Sequence, residues 1–523
     1  MLEIKELGFT HIQVSPIQNC RNVIGDALMK KKNMIKDKWI WWLAYQPKSF
    51  KIGNKYGTED DFKKLINFAE SHNIKIIVDI VINHLQASIL FEYAIWNIIL
   101  ILSQFDEKED DTENTMWDII NKFRIEKITT KSFIDKLISE KTHLEKLDID
   151  NVDKIGKINT INNKLIKINN MIFETLYEQN QIDQFEYDNN KKNIDKTEIL
   201  SNNNRYNNID VYIQLAFDQL KEIICEFLEI SNDDILFKDE YYDIITPPFW
   251  CSNNIKYGYN CWLAQALPQL NQKNKIVIHK TFQYLEKLNN IGIKCIRIDA
   301  ASHIQPKILN LYINKFNQLS NNDNYIYSEV INPDGTAKKL SIKDYSVITH
   351  ITEYNLLLNL LNIFCDKCDL NNLKILNIPS GDMGSVVFST THDLERIDGS
   401  DPALGYFGDY NKIYMNEKYK IILMMCYLLQ RIYNVPLVFK NQIDNEYVKK
   451  CCIFRKKLYI SECNREYSII SENYIFKSNK YVNDKLLGTF YMNISNEDKI
   501  LDQFTIPKQG IFIYLIDGLD ASA

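Results

Sequence analysis

Four short segments of this chain end an apolar run in residues able to move protons or hold charge. They are "IIVDIVINH" with Asp79, Asn83 and His84, "KCIRIDAASH" with Arg297, Asp299 and His303, "IYSEV" with Glu329, and "SVVFSTTHDLER" with His392 and Asp393. In residues 294–298 alternate positions suit a strand, so Asp299 falls where the strand leaves its sheet and Arg297, two residues earlier, points to the same face. An arginine beside a carboxylate lowers its pKa and keeps it ionised, as a nucleophile requires. A structural ion pair fits that segment alone equally well. Glu329 has no cationic neighbour within two residues, a setting in which a carboxyl keeps its proton, although alone it reads as an ordinary strand-end glutamate. A lone histidine past a strand is more often a loop residue than a catalytic one. Two carboxylates in different environments are what glycoside hydrolysis requires, one to attack or stabilise the sugar cation and one to protonate the leaving oxygen. "KWIWWLAYQPKSF" adds Trp39, Trp41, Trp42 and Tyr45, which would stack on sugar rings or form a core or surface patch.

These residues converge only if their strands share one sheet. Short β-branched runs separated by helical patterns indicate a parallel α/β fold, where sites gather at the carboxyl ends of strands. Seven strand candidates occur, at 12–15, 76–82, 294–298, 325–328, 346–351, 386–389 and 436–439. Helix candidates at 59–72, 279–290 and 417–433 lie between them. From about residue 103 to 243 the composition shifts to Asn, Lys, Ile, Asp and Glu with one glycine, Gly156, and no proline. That stretch reads as an insertion of helices, from "SFIDKLISEKTHLEKL" and "IGKINTINNKLIKINN", joined by disordered Asn-rich links. From about residue 441 short alternating runs read as a small antiparallel β domain.

The 523 residues carry 45% hydrophobic and 25% charged residues and a net charge of -6, which suits a large core and a neutral substrate and argues against nucleic acid as main partner. No apolar run reaches the roughly 20 residues of a membrane span, and no signal peptide is visible. The 11 cysteines are odd in number and irregularly spaced, so they define no disulfide framework; Cys295 and Cys426 read as reduced core residues, and the Cys365–Cys368 pair lacks a partner pair for zinc.

Taken in order, "VDIVINH", "IRIDAASH", "YSEVI" and "FSTTHD" resemble the four conserved regions of the α-amylase family of retaining α-glucosidases. "WWLAYQPKSFKIGNKYGTEDDF" is similar to a loop of its animal-type and actinobacterial members, and "VITHITEYN" to their sixth strand. The likeness covers about residues 8–440 without the insertion. It implies a (β/α)8 TIM barrel with a large insertion after strand 3 and a C-terminal antiparallel β-sandwich. The divisions would be 1–84 (barrel strands 2 and 3), 85–260 (the excursion), 261–440 (the rest of the barrel) and 441–523 (the β domain). "LGFTHIQVSP" resembles the second barrel strand, so the first is expected to be missing and the chain to be an N-terminally truncated reading of a longer protein, from a family often secreted.

The resemblance further implies Asp299 as nucleophile, Glu329 as general acid and base, and Asp393 as the carboxylate gripping sugar hydroxyls. His84, His392, His303 and Gln46 would bind substrate, Arg297 would orient Asp299, Tyr45 would stack on the ring being cleaved, and Trp41 and Trp42 would extend the donor side. Asn83, Gln269 and the His303 carbonyl would hold a structural calcium. Gln269 stands where the family has an aspartate, which weakens that site. Ser302 replaces a lysine on the acceptor side. Of three chloride ligands in chloride-activated relatives only Arg297 is matched, with Thr391 and Leu437 at the other positions, so chloride is not expected. The expected activity is retaining endo-hydrolysis of α-1,4-glucans such as starch or glycogen by a monomer. The alternatives are an oligosaccharide-acting or transglycosylating member and a non-catalytic glucan-binding homologue.

Overall fold

The computed structural model describes residues 1–20, 41–87, 130–146, 154–163, 165–166, 203–231, 238–246, 262–263, 267–331, 341–395, 408–471 and 474–516. They form two compact units, one of residues 1–17, 56–82 and 281–523, the other of 18–55 and 83–280.

In the first unit β1 (His11–Val14), β2 (Lys75–Ile80), β3 (Cys295–Ile298), β4 (Tyr325–Ser328) and β5 (His350–Ile351) form one sheet in chain order, each parallel to the last. A parallel bridge from Thr352 reaches Val386 of β6 (Val386–Val387), and β6 pairs in parallel with β7 (Val435–Pro436). All seven strand candidates are therefore strands of one parallel series. The last five residues of β2 and all four of β3 are buried, as a parallel sheet covered on both faces requires. Among the described residues no ladder joins β7 to β1.

The connecting helices follow their sequence signals. In α1 (Glu59–Ser71) Thr58 and Asp61 form a capping box, and Phe62, Ile66 and Ala69 make the buried stripe. α2 (Lys275–Asn290) leads into β3. α3 (Pro306–Leu319) starts on a proline, whose missing N–H is no loss in the first turn, and buries Leu309, Tyr312, Ile313 and Phe316. α4 (Tyr354–Phe364) and α5 (Lys418–Gln430) are more uniformly apolar and supply much of the core.

Two sequence expectations need correction. The strand expected at 346–351 is only His350–Ile351, because Ser341 and Asp344 cap a helical turn, Ile342–Ser346, ahead of it. The stretch after 441 begins with a helix, α6 (Glu446–Ile460), which Asn445 caps through Tyr447 and Val448. Its Val448, Cys451, Cys452 and Leu458 have helical spacing and are buried. The antiparallel sheet starts later, with β8 (Arg465–Ile470), β9 (Ile475–Val482), β10 (Lys485–Asn493) and, beyond the hairpin of β11 (Lys499–Leu501) and β12 (Phe504–Ile506), β13 (Gly510–Leu515). One face of this sheet packs Phe476, Phe490 and Ile511 into the core of the unit.

In the second unit the strand Gln18–Cys20 pairs antiparallel with Pro47–Asn54, after a 3-10 turn at Trp41–Tyr45. Helices run over Thr130–Lys146 and Asn203–Leu228, and residues 154–163 are helical. The first and third agree with the Ile and Leu spacing of the insertion. The Asn-rich links at 147–153 and 167–202, and Trp39, lie outside the described residues. No described helix is long and apolar enough to cross a membrane. Cys295 and Cys426 are free and buried.

Candidate active site

The register of the parallel sheet sets Asp79 of β2, Arg297 of β3 and Tyr327 of β4 in one row. One residue past each strand the ladder persists. Asp299 N–H donates to Ile80 O at 3.0 Å, Glu329 N–H to Ile298 O at 2.9 Å, and Thr352 N–H to Ser328 O at 3.1 Å. Asp299 and Glu329 therefore stand side by side at the carboxyl ends of adjacent strands.

Arg297 joins them. Its Nη1 lies 2.7 Å from Asp79 Oδ2 and 2.7 Å from Asp299 Oδ1, and its Nη2 lies 2.5 Å from Glu329 Oε1. The side chains of all four are nearly or fully buried. Glu329 thus has a cationic partner 32 residues away in sequence, outside the two-residue neighbourhood that holds no cation. Ala300 adopts a left-handed conformation with φ 48°, at a cost of about 1–2 kcal/mol for a residue with a Cβ, and in this turn its N–H donates to Glu329 Oε2 at 3.0 Å. Tyr354, the first residue of α4, donates its hydroxyl to Glu329 Oε1 at 3.3 Å. Tyr354 was a contributor missed in the sequence, and the pairing of Asp79 with Arg297 was not foreseen. Asp79 carried a signal, a charge inside an apolar strand, whereas Tyr354 carried none.

The electrostatics correct a further expectation. Burial raises the Asp299 carboxyl above the ordinary carboxylate range; Arg297 and His392 oppose the shift, and Asp393 adds to it. Arginine proximity alone predicted the opposite direction. Burial likewise raises Glu329, with Arg297 opposing and Asp299 and Asp393 adding. One guanidinium shared among several buried carboxylates offsets only part of their desolvation, so both carboxyls stay raised. His392 brings no second cation, because burial, with Arg297 second, lowers it to about 4. Its Nε2 lies 3.5 Å from Asp393 Oδ2. Asp393 takes its place through the turn after β6, where its N–H donates to Thr391 Oγ1 at 3.3 Å. His303 closes the 3-10 turn after Asp299, and its N–H donates to Ala300 O at 3.0 Å.

The second unit carries the remaining candidates. His84 is buried and donates Nε2–H to Tyr45 O at 2.9 Å, tying the segment after β2 to the turn bearing the aromatic residues. Gln46 accepts from Ala87 N–H at 3.2 Å through Oε1. Trp42 is half-buried in the 3-10 turn, and Trp41 shares that turn. Asn83 and Gln269 are both buried, and Gln269 Nε2 donates to Asn83 Oδ1 at 3.1 Å. A calcium site needs oxygens free to face the ion, with formal negative charge among them. This pair offers neutral amides whose oxygens already accept hydrogen bonds, so it does not fit the ion. Among the described residues no group of three or more His, Cys, Asp or Glu side chains is placed to hold a metal.

A parallel α/β domain with two carboxyls on adjacent strand ends is a frame for acid–base and nucleophilic chemistry on a neutral substrate. A family model for the α-amylase catalytic domain matches residues 2–98. An α-amylase of the beetle Phaedon cochleariae is 30% identical over 164 residues, 29% of this chain and 32% of that protein. One from Clostridium acetobutylicum is 37% identical over 83 residues, 16% of this chain and 10% of that protein. The matched stretches span no more than a third of these relatives. Among solved structures, the α-amylase of Geobacillus thermoleovorans complexed with acarbose has a TM-score of 0.52 at 13% identity, covering 98% of this chain and 89% of that one. The cyclomaltodextrin glucanotransferase CldA has the same TM-score at 12% identity, with 98% and 88% covered. Residues 2–98 are thus similar to the α-amylase catalytic domain, and the fold of the chain is similar to that of solved α-amylases.

Proposed function

We propose that this protein is a retaining endo-hydrolase of α-1,4-glucans. The observation carrying the reading is the single guanidinium of Arg297 bonded to both Asp299 and Glu329 on adjacent strand ends, where burial raises both carboxyls. In the first step an Asp299 oxygen attacks the anomeric carbon while the bond to the leaving oxygen breaks and Glu329 gives that oxygen its proton. In the second, Glu329 takes a proton from water, the hydroxide adds to the anomeric carbon, and Asp299 departs as carboxylate. Asp393 would hold ring hydroxyls, with His392 as a neutral hydrogen-bonding partner. Tyr45 would stack on the ring being cleaved, Trp41 and Trp42 would extend the donor side, His84 would hydrogen-bond the ring, and Gln46 and His303 would bind substrate. The seven-strand parallel series supports a (β/α)8 barrel as the frame.

Sizing the products from amylose tests this reading. Wild-type protein should release mixed short oligosaccharides early in the reaction, and Asp299→Asn and Glu329→Gln should each release almost none while still binding the polymer. Transfer to an acceptor hydroxyl in place of water would use the same residues and would show as products longer than the starting oligosaccharide. Unchanged turnover in Asp299→Asn would sink the assignment.

A further inference from the structure

In the second unit three segments are tied by backbone hydrogen bonds. Leu85 N–H donates to Pro268 O and Leu270 N–H to Asn83 O, both at 2.9 Å, while Thr246 N–H donates to Gln269 O at 2.8 Å and Asn271 N–H to Ile244 O at 2.7 Å. Between them runs a buried side-chain chain of fixed polarity. Thr246 Oγ1 donates to Gln269 Oε1 at 3.4 Å, and Gln269 Nε2 donates to Asn83 Oδ1 at 3.1 Å. Asn83 Nδ2 is left buried without a hydrogen-bond partner.

The polarity matters because the same pair could be arranged in two ways. With both amides reversed, Asn83 Nδ2 would donate to Gln269 Oε1, Gln269 Nε2 to Thr246 Oγ1, and Asn83 Oδ1 would be left open to a cation. In the structure the group left over is instead the Asn83 NH2, the positive end of an amide dipole, which repels a cation. We propose that the Gln269–Asn83 hydrogen bond is a metal-free bolt joining residues 83–85, 244–246 and 268–271, so that the stability of this unit does not depend on a divalent cation. The side-chain link takes over the cross-bracing a shared ion would supply. Gln269 suits it better than aspartate would, because a carboxylate has no N–H to give Asn83.

Thermal melts of the full chain in millimolar calcium chloride and in excess chelator test this without reference to activity. The wild-type midpoints should coincide. Gln269→Met keeps the bulk but removes both polar atoms, and should lower the midpoint by about 2 to 8 °C, equally in both buffers. A calcium-induced rise in the wild-type midpoint that Gln269→Met abolishes would overturn the proposal, and so would a Gln269→Met protein as stable as wild type. Should Gln269→Met not fold, Gln269→Asp decides. The bolt predicts a lower midpoint than wild type in chelator, recovered by calcium; a midpoint in chelator equal to that of wild type refutes it.

Discussion

Arg297 Nη2 stands 2.5 Å from Glu329 Oε1, and Nη1 of the same guanidinium holds Asp299. The proposed nucleophile and acid are therefore positioned by one planar group whose fork matches two carboxylates at once. Lysine offers a single nitrogen and cannot do this. Arg297→Lys should lower turnover on amylose about 10²-fold or more, as misplacement of reacting groups does. It should also destabilise the fold by about 3–5 kcal/mol, since Asp79, Asp299 and Glu329 lose a buried partner. Initial rates and chemical denaturation check the two effects, and activity near wild type would show that the arginine is not the organiser.

Tyr354 contributes through a proton. A hydroxyl donating to Glu329 favours the ionised carboxylate, so Tyr354→Phe should raise the pKa of the acid further and move the basic limb of the kcat/KM profile to higher pH. A several-fold loss of kcat at the optimum is expected with it. A merely structural tyrosine would leave the limb in place, so the pH profile separates the two roles.

Much of this arrangement was legible in the chain because strands carry their own punctuation. Short β-branched runs located all seven parallel strands, and the alternation in 294–298 puts Arg297 and Asp299 on one face. Cross-strand neighbours were not legible. Whether Glu329 meets a cation depends on the register of β3 against β4, which no local window contains. The depth of burial, which reverses the direction argued for Asp299, is likewise a property of the assembled sheet. α6 was missed for a local reason: the Asn445 cap and the Val448, Cys451 and Leu458 spacing were present, but the aromatic strands that follow dominated the composition.

The same saturation of Arg297 bears on chloride. Both its Nη atoms are engaged by carboxylates, and Leu437, at a position where chloride-activated relatives supply a ligand, offers no donor side chain. A halide next to this cluster would meet net negative charge. Replacing chloride by acetate at constant ionic strength should leave initial rates unchanged, and a several-fold fall would show a halide site that this geometry does not supply.

The last prediction concerns acid stability and His392. Its folded pKa, lowered to about 4 by burial and then by Arg297, lies below the ordinary value of 6.5. Between those values the unfolded chain binds a proton that the folded chain does not, so the contribution of His392 to stability is intact above 6.5 and is lost as pH falls toward 4. With 24% of the side chain still exposed, solvent screening limits the loss to on the order of 2 kcal/mol. Asp299 and Glu329 act in the opposite sense. Their raised pKa values stabilise the fold at low pH and lose that contribution as pH rises through the folded values. The difference between wild type and His392→Gln isolates the histidine. Unfolding free energies from denaturant titrations between pH 7 and 4 should fall more steeply in wild type, and parallel curves would mean that the ring is not held neutral in the folded protein.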